Sequence, residues 1–311
     1  MVRALVCPGQ GAQSIGMGKS LAEEYSTAKA VFEEVDEALG EKLSNLIWEG
    51  DIEDLTLTQN AQPALMAMSL AVLRGLESEG FDISSCSYLA GHSLGEYSAL
   101  AMSKAISVSD AARLLRARGL AMQDAVPVGK GAMAAILGLN FETVQSLTNV
   151  AQAQALGVCQ AANDNDPSQV VISGDKSAVE LAIDLAKEEG AKRAIMLPVS
   201  APFHCELMAP AAEQMEIKLD SIKINTPIVP IVSNVSAEAI SDPDKIKKLL
   251  VSQVTGSVRW RESIMWMAEN DVDEIWEVGS GKALSGMIRR IDRGISVKNF
   301  SSAEDIKSVE F

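Results

Sequence analysis

At 311 residues, 47% of them apolar and 22% charged, the chain has an ordinary globular balance and enough length to bury a large core in one large domain or two unequal ones. No uncharged apolar run reaches the roughly 18 residues of a membrane span, and the apolar stretch behind Met1 is too short for a signal peptide. Lys and Arg number 27 against 42 Asp and Glu, a net charge of −15 that repels phosphates over most of the surface and excludes non-specific nucleic-acid binding.

Val2 to Cys7 reads as a first strand ending in the Gly-rich turn Pro8-Gly9-Gln10-Gly11-Ala12-Gln13. The following Gly16-Met17-Gly18-Lys19-Ser20 resembles the end of a phosphate-binding loop, but that loop needs glycine where Gln13 stands, so a nucleotide-triphosphate site is rejected. Helical segments follow to about Glu79, the last of them Ala61 to Glu79 with Pro63 in its first turn. Tyr88 to Ala90 then leads into Gly91-His92-Ser93-Leu94-Gly95 and a helix-compatible segment, Glu96 to Met102. That order predicts a strand, a sharp turn and a helix, with the Ser93 hydroxyl projecting at a helix N-terminus. A helix is expected over Ser109 to Asp124, capped by Ser109.

From Gly131 the pattern changes. Strand (Ala132 to Leu137), helix (Phe141 to Ala155), strand (Val158 to Ala162), turn (Asn163 to Pro167), strand (Gln169 to Ser173), helix (Lys176 to Glu189) and strand (Lys192 to Leu197) give a βαββαβ order, that of a ferredoxin-like unit. Pro127-Val128-Gly129 and Pro198 mark its ends, so residues 128–198 read as a small subdomain inserted between 1–127 and 199–311. The larger domain resumes with a helix from Glu206 to about Ile222 and a strand from Ile228 to Ser233. Helices follow at Asp244 to Gln253 and Ser257 to Asn270, then a strand from Glu274 to Val278 and a helix from Lys282 to Asp292. The expected class is α/β, with a mainly parallel sheet covered by helices on both faces.

A serine hydroxyl needs a base, and the chain holds two histidines. His92 adjoins Ser93 and points elsewhere in a tight turn, which leaves His204, in Ala201-Pro202-Phe203-His204-Cys205. A third triad member is not evident: Asp164, Asp166 and Asp175 lie in the inserted unit, which counts against an ordinary esterase. Arg118 sits in a mostly apolar stretch, where a guanidinium pairs either with a carboxylate of the protein or with one on a substrate. Basic candidates for an anionic partner are Arg113, Arg116 and Arg118 on one helix, Arg259 and Arg261 on another, and Lys282, Arg289, Arg290 and Arg293 near the C-terminus. Cys7, Cys86, Cys159 and Cys205 show neither close pairing nor metal spacing, so a reducing, cytoplasmic setting is expected.

These motifs occur together in one order: Pro8 to Gln13, Gly91-His92-Ser93-Leu94-Gly95-Glu96, Arg118-Gly119 with Met122-Gln123, Asn163-x-Asn165-x-Pro167 running into Gln169 to Gly174, Phe203-His204 and Glu277-Val278-Gly279. The set resembles the malonyl-CoA:acyl carrier protein transacylases, from Cys7 to about Ile288. The resemblance implies a hydrolase-like α/β core carrying a ferredoxin-like subdomain. It also implies an acyltransferase that passes malonyl from malonyl-CoA to the phosphopantetheine thiol of acyl carrier protein, with no cofactor or metal. By the same resemblance Ser93 is acylated, His204 is general base and then acid, and the N–H groups of Gln10 and Leu94 form the oxyanion hole. Arg118 holds the malonyl carboxylate. The histidine is oriented by the main-chain carbonyl of Gln253, which would explain the missing acid. Asn163 and Asn165 line the cleft between subdomains, and Gln62 and Met122 lie near the acyl pocket. Ala12, Ser257 and Ser280 depart from the family's usual residues, away from these atoms. A serine thioesterase or esterase using the same pair, a polyketide-type acyltransferase of other acyl preference and a non-catalytic carrier-binding protein are the competing readings.

Overall fold

The computed structural model describes residues 2–309. Its strands are β1 (Arg3–Cys7), β2 (Tyr88–Gly91), β3 (Gly131–Leu137), β4 (Cys159–Asp166), β5 (Gln169–Asp175), β6 (Arg193–Met196), β7 (Ile231–Val232), β8 (Ala239–Ile240), β9 (Glu274–Val278) and β10 (Ser296–Phe300). They form a six-stranded sheet in the order β10-β9-β1-β2-β7-β8 and a four-stranded sheet in the order β4-β5-β3-β6. The large sheet is parallel except where β8 returns along β7. The small one is antiparallel throughout. This is the expected α/β class, with a hydrolase-like parallel core and a ferredoxin-like sheet beside it.

Strand periodicity explains the layering. In β1, Leu5 and Cys7 face one apolar core, shared with Trp276 and the helix Thr58–Ser78, while Ala4 and Val6 face another, shared with Ile275, Trp260 and Ile288. Both faces of the parallel sheet are therefore covered by helices, as its crossovers require. The small sheet is two-sided in a different sense. Ala132, Ala134 and Ile136 of β3 pack on its own helices, Phe141–Ala155 and Lys176–Glu188, and Met133 and Ala135 face the cleft toward the large sheet.

Some elements differ from expectation. The helix expected from Ala61 starts at Thr58, placing Pro63 inside it. The helix expected from Ser109 is capped by Ser107, whose hydroxyl accepts from Asp110 N–H at 3.0 Å. The turn expected at Asn163 to Pro167 is instead the end of β4, which runs to Asp166 with two irregularities in its pairing to β5. Strands β8 and β10 and the short helix Ala303–Lys307 were not expected. Among the described residues no helix is long and apolar enough to cross a membrane.

Candidate active site

Residues at the C-terminal ends of parallel strands meet in a crevice, and here the turns after β1, β2 and β7 supply Gln10, Ser93 and Asn234. Ser93 stands between β2 and the helix Leu94–Met102 with φ 54°, a backbone conformation costing a non-glycine residue about 1–3 kcal/mol. Three contacts hold it there. Its N–H donates to Asn234 Oδ1 at 2.7 Å, its carbonyl accepts from Gln253 Nε2 at 3.0 Å, and Asn234 Nδ2 donates to Gly91 O at 2.7 Å. The turn is so tight that a Cβ on Gly91 would lie 1.9 Å from Gly95 C, and one on Gly95 would lie 2.3 Å from Cys7 O. Leu94 opens the following helix, so its N–H has no carbonyl one turn back, and the residue lines the cleft together with Gln10.

His204 reaches Ser93 from the loop beyond the small sheet, its Nε2 2.7 Å from Ser93 Oγ. Its φ is 59°, so both members of the pair sit in the left-handed region. Nδ1 lies 2.9 Å from Gln253 O and 3.2 Å from Gly256 O. A carbonyl only accepts, so Nδ1 carries the proton and Nε2 presents a lone pair to the serine hydroxyl. Burial, reinforced by the nearby Arg118 charge, pushes the His204 pKa down to about 3, so the resting imidazole is neutral.

Arg118 is 1% exposed, and among the described residues it makes no direct ion pair, although the buried Glu96 acts on its charge from beyond contact distance. Its Nη1 donates to Gln62 Oε1 at 2.7 Å, and Nη2 donates to Gln253 Oε1 at 2.9 Å and to Ser93 Oγ at 3.0 Å. Burial lowers its pKa from the usual value. Gln62 Nε2 also lies 3.8 Å from Met122 Sδ. Gln253 thus touches Ser93, His204 and Arg118 at once, and its Nε2 also donates to the buried Glu96 carboxyl at 2.6 Å. Burial raises the Glu96 pKa to about 7 against the opposing pull of these donors.

The small sheet supplies the opposite wall. Asn165 Oδ1 accepts from His92 Nε2 at 2.9 Å, and Asn163, 5% exposed, pairs its backbone with Val258. His92 packs against Trp260 with ring centres 5.7 Å apart, away from the serine hydroxyl. The resulting cleft, about 550 Å³, is lined by Gln10, Ser93, Arg118, Asn163, Asn165 and His204 among others. All ten residues singled out in the sequence lie in or against this cleft.

Residues 4–283 match the acyl transferase domain family. A malonyl CoA-acyl carrier protein transacylase from Bacillus subtilis is 48% identical over 304 residues, covering 98% of this chain and 95% of its own. The chain belongs to the acyl transferase family. Solved relatives agree: an acyl-carrier-protein-S-malonyltransferase from Bartonella henselae has 52% identity and a TM-score of 0.96, with 99% and 98% of the two chains covered. A malonyl-transacylase solved in complex with its type II PKS acyl-carrier protein has 38% identity and a TM-score of 0.95, covering 99% and 98%.

Within this acyl transferase, sequence reasoning left three residues without a role. Asn234, which holds the Ser93 N–H, could have been found because it directly follows β7 at the carboxyl end of a parallel strand. Glu96 was read only as part of the elbow motif. Thr58 carried no signal, because the helix it opens was expected to begin later.

Proposed function

We propose that the chain transfers malonyl from malonyl-CoA to the phosphopantetheine thiol of acyl carrier protein through a malonyl ester on Ser93. One observation carries the malonyl reading: a buried guanidinium with no carboxylate of its own stands 3.0 Å from the Ser93 hydroxyl. A buried charge is expensive unless something of opposite sign completes it, and an acyl group ending in a carboxylate does so while placing its thioester carbon beside Ser93. An uncharged acyl group leaves Arg118 bonded only to the two glutamine amides and the serine hydroxyl.

In the first half-reaction Ser93 Oγ attacks the thioester carbonyl and its proton passes to His204 Nε2. The oxyanion takes the N–H groups of Gln10 and Leu94, each worth about 3 kcal/mol in comparable sites. The C–S bond breaks, His204 returns the proton to the CoA sulfur, and the ester remains. In the second half the carrier thiol gives its proton to His204 and attacks the ester, and the serine oxygen recovers the proton. Both halves are acyl substitutions, so the chemistry calls on no cofactor.

An acidic carrier would be met through cations. Arg113, Arg116, Arg259, Arg261 and Arg290 are already paired with carboxylates, whereas Lys282, Arg289 and Arg293 have no carboxylate partner among the described residues and are exposed. These three support a docking patch. Four free, buried cysteines support a cytoplasmic setting.

The test is the fate of malonyl-CoA with and without carrier protein. A transacylase releases CoA in quantity only when carrier is present and yields malonyl-carrier. Equal CoA release without carrier, with free malonate, identifies a hydrolase and overturns the reading.

A further inference from the structure

Thr58 opens its helix fully buried and lies one turn before Gln62 on the same face. Gln62 spends both ends of its amide: Oε1 accepts from Arg118 Nη1 at 2.7 Å, and Nε2 donates to Thr58 Oγ1 at 2.9 Å. The Thr58 hydroxyl then donates to Gln10 Oε1 at 2.9 Å. Every donor in the run points away from the guanidinium, from Arg118 to Gln62 to Thr58 to Gln10. A hydrogen-bond chain with one sense polarises each member in that sense. It also fixes both amides, because a reversed Gln62 would turn its NH2 toward the guanidinium and its carbonyl toward Thr58.

The two ends of this run differ. Arg118 is buried in the helix Val108–Asp124, whereas Gln10 is exposed in an irregular turn. The other side-chain ties of that turn are Gly11 N–H to Gln13 Oε1 at 2.8 Å and Gln13 Nε2 to Thr56 Oγ1 at 3.4 Å, both exposed, and Ser280 Oγ to Ala12 O at 2.6 Å, half-buried; none of them leads to Arg118. The buried hydroxyl of Thr58 is what joins the turn carrying the Gln10 N–H to the arginine.

We propose that Thr58 is a positioning residue that couples the carboxylate clamp at Arg118 to the Gln10 side of the oxyanion hole, and so contributes to the choice of a carboxylated acyl group. The proposal rests on the acyl-transfer reading above. A malonyl thioester engages both ends of the run at once, its carboxylate on Arg118 and its carbonyl oxygen at Gln10. An acetyl thioester engages only the Gln10 end. Cutting the run at Thr58 therefore costs the malonyl substrate more than the acetyl one.

The experiment measures kcat and KM for acylation by malonyl-CoA and acetyl-CoA in wild type, Thr58→Val, Thr58→Ser and Gln10→Ala. Thr58→Val keeps the shape and removes the hydroxyl. It is expected to lower kcat with malonyl-CoA about tenfold, to leave KM within about twofold, and to lower kcat with acetyl-CoA by no more than about threefold. Thr58→Ser, which restores the hydroxyl, is expected to recover the malonyl preference. Gln10→Ala cuts the same run at an exposed side chain while keeping the main-chain N–H, and it is expected to narrow the preference in the same direction; it decides the matter if Thr58→Val does not fold. Equal losses with the two substrates, a change in KM alone, or an unchanged preference overturns the coupling. The mass of the wild-type protein after malonyl-CoA separates the two levels. No malonyl adduct removes the acyl-transfer reading, whereas an adduct with an unchanged preference in both variants removes the role of Thr58 alone.

Discussion

On the wall of the cleft built by the parallel sheet, Ser93, His204, Arg118 and Gln253 hold one another directly. On the wall built by the antiparallel sheet, Asn163 and Asn165 reach the cleft from a strand whose alternate residues are tied elsewhere, Asp164 to Arg261 at 2.8 Å and Asp166 to Arg290 at 2.8 Å. In the first wall the polar partners bond to one another, all buried except the half-buried Ser93, so removing one member leaves others unpaired and disturbs the chemistry. The second is a surface held in place from behind, so its partners can be weakened with little effect on the reacting atoms.

The comparison can be broken most sharply at Ser93. Ser93→Ala is expected to lower malonyl transfer by at least about ten-thousandfold with the fold retained, measured as carrier malonylation under matched conditions. Next comes Arg118→Ala, expected to cost kcat/KM about a hundredfold or more with malonyl-CoA and tenfold or less with acetyl-CoA. Equal losses would remove the clamp from the first wall.

Acid should expose the same wall. The His204 pKa falls from 6.5 in the unfolded chain to about 3 in the folded one. Between these values the unfolded chain takes a proton that the folded one refuses, so this group's contribution to stability is present above 6.5 and is lost as the pH drops toward 3. The NMR signal of the His204 imidazole should stay that of the neutral form as the pH passes down through 6.5, and a midpoint there would contradict the burial argument. On the second wall, Asp166→Asn weakens the bond to Arg290 and is expected to cost about 1 kcal/mol of stability in denaturant while leaving malonyl transfer within about threefold. A loss of activity as large as that of Arg118→Ala would erase the distinction between the walls. The smallest effect is that of salt: if docking draws on the proposed patch of Lys282, Arg289 and Arg293, salt should slow transfer to the carrier more than the reaction with CoA.

The core of the parallel sheet was legible because β1 and β2 are short, mostly apolar runs and β9 carries Ile275, Trp276 and Val278, each strand ending in a glycine-bearing turn. The elbow was legible for a steric reason, since Gly91 and Gly95 leave no room for a Cβ. β4 was cut short because Asn163, Asp164, Asn165 and Asp166 have the composition of a turn. Pairing with β5 and the two arginines override that local preference, and strand alternation turns Asp164 and Asp166 away from the cleft that Asn163 and Asn165 line. β10, Ser296–Phe300, lies at a sheet edge with Lys298 and Asn299 side by side, and gives neither an apolar run nor a strict alternation to find. Arg118 stood between two partners in the sequence, a carboxylate of the protein or one of a substrate. The structure gives it Gln62 and Gln253 instead, which is why the charge remains available. Thr58 meets Gln10 through a contact distant in sequence that no local pattern announces, whereas Asn234, bonded to Ser93, was marked only by its place beyond a parallel strand.

The central claim is that Ser93 carries the acyl group between two thiols. The most direct measurement is the intact mass of the protein after brief incubation with malonyl-CoA, beside Ser93→Ala. The account requires a gain of one malonyl group in the wild type, absent from Ser93→Ala and removed by added CoA or carrier protein. No gain in the wild type, or the same gain in Ser93→Ala, would contradict it.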